Sequence, residues 1–332
     1  MRKKIFVLAV LSLPFFLWAD KAVIRPPEEP DFEPWFTGPL LAPAAIPIPV
    51  GHINIEPYIY ATARTAFYNR DWNAISRDTF WNINFQSLVE FGLTSFMDFE
   101  FVPSFSYNFT EGAGNWALND FDVLVNFQIF NLHFKELNSW NTALKLALTQ
   151  TFPTGKYQNL DPRKKFTDQG GQGSWQTTVG LVWGNQVHVT GHQFFNSRFS
   201  LSYTYFTSVD VKGFNSYGGG LGTQGTVHPG RSFQIDLGLE YSLTQHWVVA
   251  TDIVGIWQGS SSFSGIEGDI MLGTIFSPAQ TGLGSSAQFS LAPAIEYNWN
   301  ENIGLIAGVW FTVAGRETAQ FASGVVAFNY YH

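Results

Sequence analysis

The sequence predicts an all-β chain: a transmembrane, antiparallel, up-and-down β-barrel of about twelve strands, preceded by an N-terminal signal peptide and a proline-rich arm. Three observations carry this. Apolar and polar residues alternate over some twelve stretches of about ten residues, the length a β-strand needs to cross a bilayer. Long and short connections alternate between them. Of 332 residues, 45% are hydrophobic and only 13% charged, with 32 Phe, 12 Trp and 12 Tyr, a surface poorly suited to water. Ten or fourteen strands are the neighbouring counts for an even-numbered barrel.

The elements follow in order. "MRKK" is a basic leader and "IFVLAVLSLPFFLWA" an apolar run ending at Ala19, so residues 1–19 read as a secretory signal peptide cut before Asp20. Leu17 is larger than the small residue usual three positions before a cut. An uncleaved anchor would need about 20 apolar residues. Cleavage removes Arg2, Lys3 and Lys4 and no acid, so 18 bases become 15 against 26 acids, net −11. That balance argues against nucleic acid as a partner. Residues 20–50 hold eight of the sixteen prolines. Proline lacks the donor a central strand needs, so this segment reads as an extended arm or plug.

Residues 51–332 form the barrel. Its strands begin with "HINIEPYIYATAR", "FWNINFQSLVEFGL" and "FMDFEFVPSFSYNF". In the third, Met97, Phe99, Phe101, Phe105, Tyr107 and Phe109 fall on one face and Asp98, Glu100, Ser104, Ser106 and Asn108 on the other. Then come "NDFDVLVNFQIF", "WNTALKLALTQTF", "SWQTTVGLVWG", "SRFSLSYTYF", "SFQIDLGLEYSL", "WVVATDIVGIW", "SSAQFSLAPAIEYNW", "NIGLIAGVWFTVA" and "QFASGVVAFNYYH". A closed ring in lipid pairs every backbone group and leaves no edge. The outward aromatics expected near strand ends are Trp81, Tyr107, Trp175, Trp183, Tyr205, Tyr241, Trp257 and Tyr297.

Short connections are expected at Thr94–Ser95 and near 245 and 300, with medium ones at 131–139 and 185–196. Long ones are expected at 65–79, 110–119, 153–174, 207–231 and 259–285, with a shorter one near 316. Bacterial outer-membrane barrels keep short turns on the periplasmic side and long loops outside. The expectation is therefore the outer membrane of a Gram-negative-type bacterium, with both termini periplasmic and with lipid and lipopolysaccharide as surroundings. The last strand places Tyr330, Phe328, Val326, Gly324 and Ala322 on one face. This resembles the signature read by the barrel-assembly machinery, with His332 where an aromatic usually stands.

"TFPTGKYQN", followed by "GGQGSWQTTVGLVWG" at 170–184, resembles the outer-membrane family named for the MetA pathway of phenol degradation. There a Pro-Thr-Gly turn leaves one strand and a Gly-rich, Trp-containing segment begins the next. The likeness spans about 51–332, with a distinctive motif of about 30 residues. It implies a transporter-like barrel passing small solutes, hydrophobic or aromatic ones among them.

The polar phase of the strands sends Glu56, Glu90, Asp98, Glu100, Asp120, Asp122, Asp236, Glu240, Asp252 and Glu296 into the lumen, with Arg64, Lys145 and Arg198. A base facing lipid at the midplane would cost about 2 to 4 kcal/mol. Ten acids against three bases would favour cations; alternatively they pair with neighbouring strands or the arm and fill a small barrel. Loops after Phe152 and Phe206 would narrow the outer mouth.

Other motifs fit ordinary roles better. His188 and His192 in "HVTGH" sit on a turn without a third ligand. "SYGGGLGTQG" and "TGK" lack the strand-to-helix context and the Lys-Ser/Thr of a phosphate loop and read as flexible loop segments. "PRKK", Pro162–Lys165, reads as a solvated loop, with lipopolysaccharide phosphates the alternative. No Ser and His stand at a spacing that puts a base beside a nucleophile, so neither an enzyme nor a cofactor or metal is expected. The rivals to a channel are a plugged structural or adhesive barrel and, less favoured, a hydrolase built on the barrel wall.

Overall fold

The computed structural model describes residues 35–332 except 138, 192, 273 and 274. The signal peptide, arm residues 20–34 and His192 lie outside the described residues. Twelve antiparallel strands form one ring. They are β1 Ile53–Tyr68, β2 Ala74–Thr94, β3 Met97–Val102 and Ser104–Thr110, and β4 Ala113–Leu118 and Phe121–Phe134. Next come β5 Trp140–Phe152, β6 Gln176–Thr190, β7 Gln193–Phe206, β8 Ser232–Ser242 and β9 Trp247–Gln258. β10 Ser286–Asn300, β11 Ile303–Arg316 and β12 Thr318–Tyr331 complete it.

Each strand pairs with the next, and β12 returns to β1 from Asn54↔Tyr331 to Tyr68↔Thr318. The seam is finished by Ile53 N donating to His332 O at 2.8 Å and His332 N to Ile53 O at 2.9 Å. β3 breaks at Pro103, which has no N–H to give. Below the break β3 pairs with 121–134 of β4; above it β3 pairs with 113–118. Asn119 and Asp120 are left between the two ladders, which frees the Asp120 side chain for the loops.

The alternation read in the third strand is realised. Asp98, Glu100, Ser106 and Asn108 are buried, while Met97, Phe99, Phe101 and Phe105 keep exposure on the outer face. Ile253 is 46% exposed between Trp247 and Trp257 at the two ends of β9, which places it near the middle of the apolar band. Ile253→Arg is expected to destabilise the barrel by about 2 to 4 kcal/mol, measured by reversible urea unfolding in phospholipid vesicles. A change below about 0.5 kcal/mol would remove β9's outer face from lipid.

Several connections are shorter than expected. β1 and β2 run on to a turn at 69–73, β3 and β4 meet at a two-residue turn at 111–112, and the medium pair shrinks to 135–139 and 191–192. These extensions carry Thr65, Ser76, Arg77 and Asp78. Beyond the bilayer neither face needs to be apolar, so the alternation vanishes while the pairing continues.

Two long loops are also more ordered than their glycines suggest. Val209–Lys212, Gln224–His228 and Ser262–Ile266 form a three-stranded sheet. Val209, Val211, Tyr217 and Val227 are buried beneath it, packed by Tyr157 and Phe263. The run "SYGGGLGTQG" is thus part of a small folded cap, and burial raises the Tyr217 phenol.

In the loop after β5, a single 3-10 turn covers Pro162–Lys164. Hydrogen bonds from the Arg163 guanidinium and backbone N–H hold the Asp161 carboxyl down at about 2. Lys165 Nζ donates to Glu111 O at 2.6 Å. Much of the basic run is satisfied within the protein.

Candidate functional site

Residues 35–50 lie inside the ring. Prolines 39, 43, 47 and 49 keep this stretch extended and reduce the N–H groups that need partners. Three of the remaining donors meet lumen carboxylates. Thr37 N donates to Glu296 Oε2 at 2.8 Å, Ala42 N to Asp252 Oδ1 at 3.0 Å and Ile48 N to Asp98 Oδ2 at 3.2 Å. Asn298 Nδ2 donates to Trp35 O at 3.1 Å and Gln128 Nε2 to Ala45 O at 3.3 Å. Bonds to a charged group contribute about 1.5 to 3 kcal/mol each.

Apolar contacts add to the grip. Leu40, 2% exposed, packs with Ala250, Ala292, Ile306, Val325 and Ala327, and Ala45 packs with Ala143 and Val182. Two glycines are required by this approach. A Cβ on Gly92 would lie 1.9 Å from Pro49 O, and one on Gly308 would lie 2.7 Å from Leu40 Cδ1. Pro293 O, 2.4 Å from that same Gly308 Cβ, leaves no room on the strand side either.

The acids divide into two groups flanking the arm. On β1 to β3, Asn126 Nδ2 donates to Asp98 Oδ1 at 2.6 Å and Glu100 Oε1 at 2.5 Å, and Asn54 Nδ2 donates to Glu90 at 2.6 Å and Glu56 at 2.9 Å. Lys145 Nζ lies 3.9 Å from Glu100 Oε1. One oxygen each of Glu90, Asp98 and Glu100 falls within 4.8 Å of the others, a spacing a cation could use, but the Lys145 ammonium and the Asn126 amide already face it. On β7 to β10, Glu240, Asp252 and Glu296 face Arg198, whose Nε is 3.3 Å from Glu240 Oε2, and Asp236 lies beside Asp252. Among the described residues, neither oxygen of Asp236 has a hydrogen-bond partner.

The arm divides the space inside the barrel. On the long-loop side is a chamber of about 740 Å³ floored by Leu41 and Pro43, with Asn84, Asp122, Lys145 and Trp310 in its walls. A vestibule of about 570 Å³ continues outward past Arg77, Asp120, Phe166 and Gln172. The two share Arg64, Asn82 and Gln176. On the short-turn side are smaller pockets, one of about 290 Å³ with Glu56 and Glu90 and one of about 280 Å³ with Arg198.

Asp120 accepts from Gly155 N at 2.9 Å and Gln172 N at 3.0 Å, which ties the loop after β5 to the vestibule wall. The loop after Phe206 forms the cap sheet instead. Asp122 accepts from Thr151 Oγ1 at 2.5 Å.

Sequence reasoning placed aromatics on the outer face and overlooked Tyr60, Trp310 and Phe321 in the chamber and Phe80 in the vestibule. Their position in the alternation was the available signal: Tyr60 shares the phase of Glu56 and Arg64, and Phe80 and Phe321 are the cross-strand partners of Arg64. The structure also brings Ser208 Oγ within 2.7 Å of His228 Nδ1. Both are on the exposed cap, away from the cavities described above.

No family model matches the chain, and no curated protein matches it by sequence. Among solved structures it is similar to the COG4313 outer membrane channel from Pseudomonas putida F1, with 14% identity, a TM-score of 0.64 and coverage of 87% of this chain and 98% of that one. Weaker likenesses are to the transport unit of the autotransporter AIDA-I from Escherichia coli (10% identity, TM-score 0.41, 84% and 90% covered) and to a deletion mutant of the TodX monoaromatic hydrocarbon channel (11%, 0.39, 86% and 91%). At these identities the first comparison speaks for the fold: this chain is a closed, twelve-stranded antiparallel barrel of the outer-membrane type.

Proposed function

We propose that the protein is an outer-membrane channel through which small solutes diffuse, narrowed from within by its own residues 35–50. The observation that carries this reading is the continuous vestibule and chamber, open toward the long loops and ending on Leu41 and Pro43. In this reading the long loops face outside, both termini are periplasmic, lipopolysaccharide surrounds the outer rim, and the assembly machinery reads β12. The likeness to the COG4313 channel supports it, as does the resemblance of "TFPTGKYQN" and "GGQGSWQTTVGLVWG" to the MetA-pathway family. Aromatic solutes suit the Tyr60, Trp310 and Phe321 side of the chamber. The thirteen charged residues named from the sequence are the lumen lining in this reading, with no catalytic role.

Planar-bilayer recording of the purified protein is the test, with discrete ohmic steps as the expected result. Because most of the acids are engaged by the arm, the Asn54 and Asn126 amides, Lys145 and Arg198, the zero-current potential across a salt gradient should show only weak cation preference. The occupied lumen also favours a second reading, a permanently plugged structural or adhesive barrel. Absence of steps both with and without residues 23–50 would establish that reading and overturn the channel.

A further inference from the structure

We propose that the chamber receives a small aromatic carboxylate and that Arg64 is its anion-binding residue; this rests on the channel reading and names its substrate class. Arg64 stands where chamber and vestibule meet. Among the described residues its guanidinium has no hydrogen bond and no ion pair, only the Phe80 ring with its centroid 5.7 Å from Cζ. Of the other bases, Lys145 faces Glu100, Arg198 faces Glu240, and Arg77, further out in the vestibule, lies over the Phe67 ring with its Cζ 4.3 Å from the centroid. Of the acids on the lining, Asp120 is engaged by two backbone N–H groups and Asp122 by Thr151, while Asp78 stands further out in the vestibule, toward the 69–73 turn. A solute coming from the long-loop side therefore meets an unpaired guanidinium before it meets the acids around the arm.

The surroundings define what that guanidinium can hold. Its cross-strand partners are Phe80 and Phe321. Trp310 packs edge-on to Phe321 with centroids 4.7 Å apart and is fixed by Nε1 donating to Ser290 Oγ at 2.9 Å. One wall thus offers aromatic rings beside a planar fork of donors, which matches a carboxylate two bonds at a time. The facing wall, on β6, offers an amide and a hydroxyl from Gln176 and Thr178. About 740 Å³ is within the range of small-molecule sites. A planar ring carrying one carboxylate uses all three features; a neutral hydrocarbon leaves the guanidinium unused.

Benzoate, benzamide and cyclohexanecarboxylate are titrated calorimetrically into the detergent-solubilised full barrel, with folding checked by heat-modifiable migration. Benzoate is expected to bind best, with benzamide and Arg64→Gln each weakening binding roughly tenfold or more and Arg64→Lys retaining part of it. Cyclohexanecarboxylate should fall between benzoate and benzamide. Equal binding of benzoate and benzamide, Arg64→Gln within twofold of wild type, or no benzoate binding to a barrel that conducts overturns the proposal. Arg64-dependent binding to a barrel that never conducts would sustain it and sink the channel reading alone.

Discussion

Deleting residues 23–50 is expected to raise single-channel conductance several-fold and to move the zero-current potential toward cations. The physical reason is twofold. The segment removed includes all of 35–50, which floors the 740 Å³ chamber and separates it from the pockets at the short-turn end. Its loss also returns the oxygens of Glu296, Asp252 and Asp98 that now accept from Thr37, Ala42 and Ile48. Carboxylates freed of those donors in a narrow, water-filled ring attract cations. The two effects are read in one bilayer recording. Unchanged current would show that ions already pass beside the arm, and a larger current without a cation shift would show that the freed acids are balanced by other groups.

Lys145→Met is expected to destabilise the barrel by about 3 to 5 kcal/mol, the usual consequence of removing one partner from a buried ion pair. Lys145 is 1% exposed, and its Nζ is 3.9 Å from Glu100 Oε1. Glu90 and Asp98 close the same cluster. Met keeps most of the methylene stem, so the loss reports charge, not packing. Pairing the change with Glu100→Gln should recover part of the loss, because the carboxylate then no longer lacks its cation. Denaturant unfolding in vesicles gives both values. A single-variant loss under about 1 kcal/mol would mean that the asparagine amides alone compensate these acids.

The sequence made the bilayer-crossing part legible and left the remainder obscure for identifiable reasons. In 96–109 the two faces differ so sharply that strand, phase and inward acids follow directly, and the same holds for Glu240 on β8 and Glu296 on β10. Above the bilayer, residues such as Thr65, Ser76 and Arg77 make pairs whose two faces are both wet, so paired strand resembled loop. The glycines of 216–225 suggested flexibility because the cap beneath them is supplied by distant partners, Tyr157 and Phe263. Proline content identified the arm as extended, while its path depended on carboxylates about 50 to 260 positions away in sequence. Tyr60 and Phe321 were missed because aromatic character was allowed to outweigh parity.

The course of the inner segment has one more implication. Trp35 rests against His246 in the turn between β8 and β9, while Pro49 leaves beside Gly92, close to the turn between β2 and β3. Both ends of residues 35–50 therefore lie at the same rim, and the stretch between them dips in and comes back. Such a bight can be drawn back over the rim it crosses without opening the wall. Withdrawal requires only that its few clasps let go, so a tug from the short-turn side would suffice to unstopper the lumen.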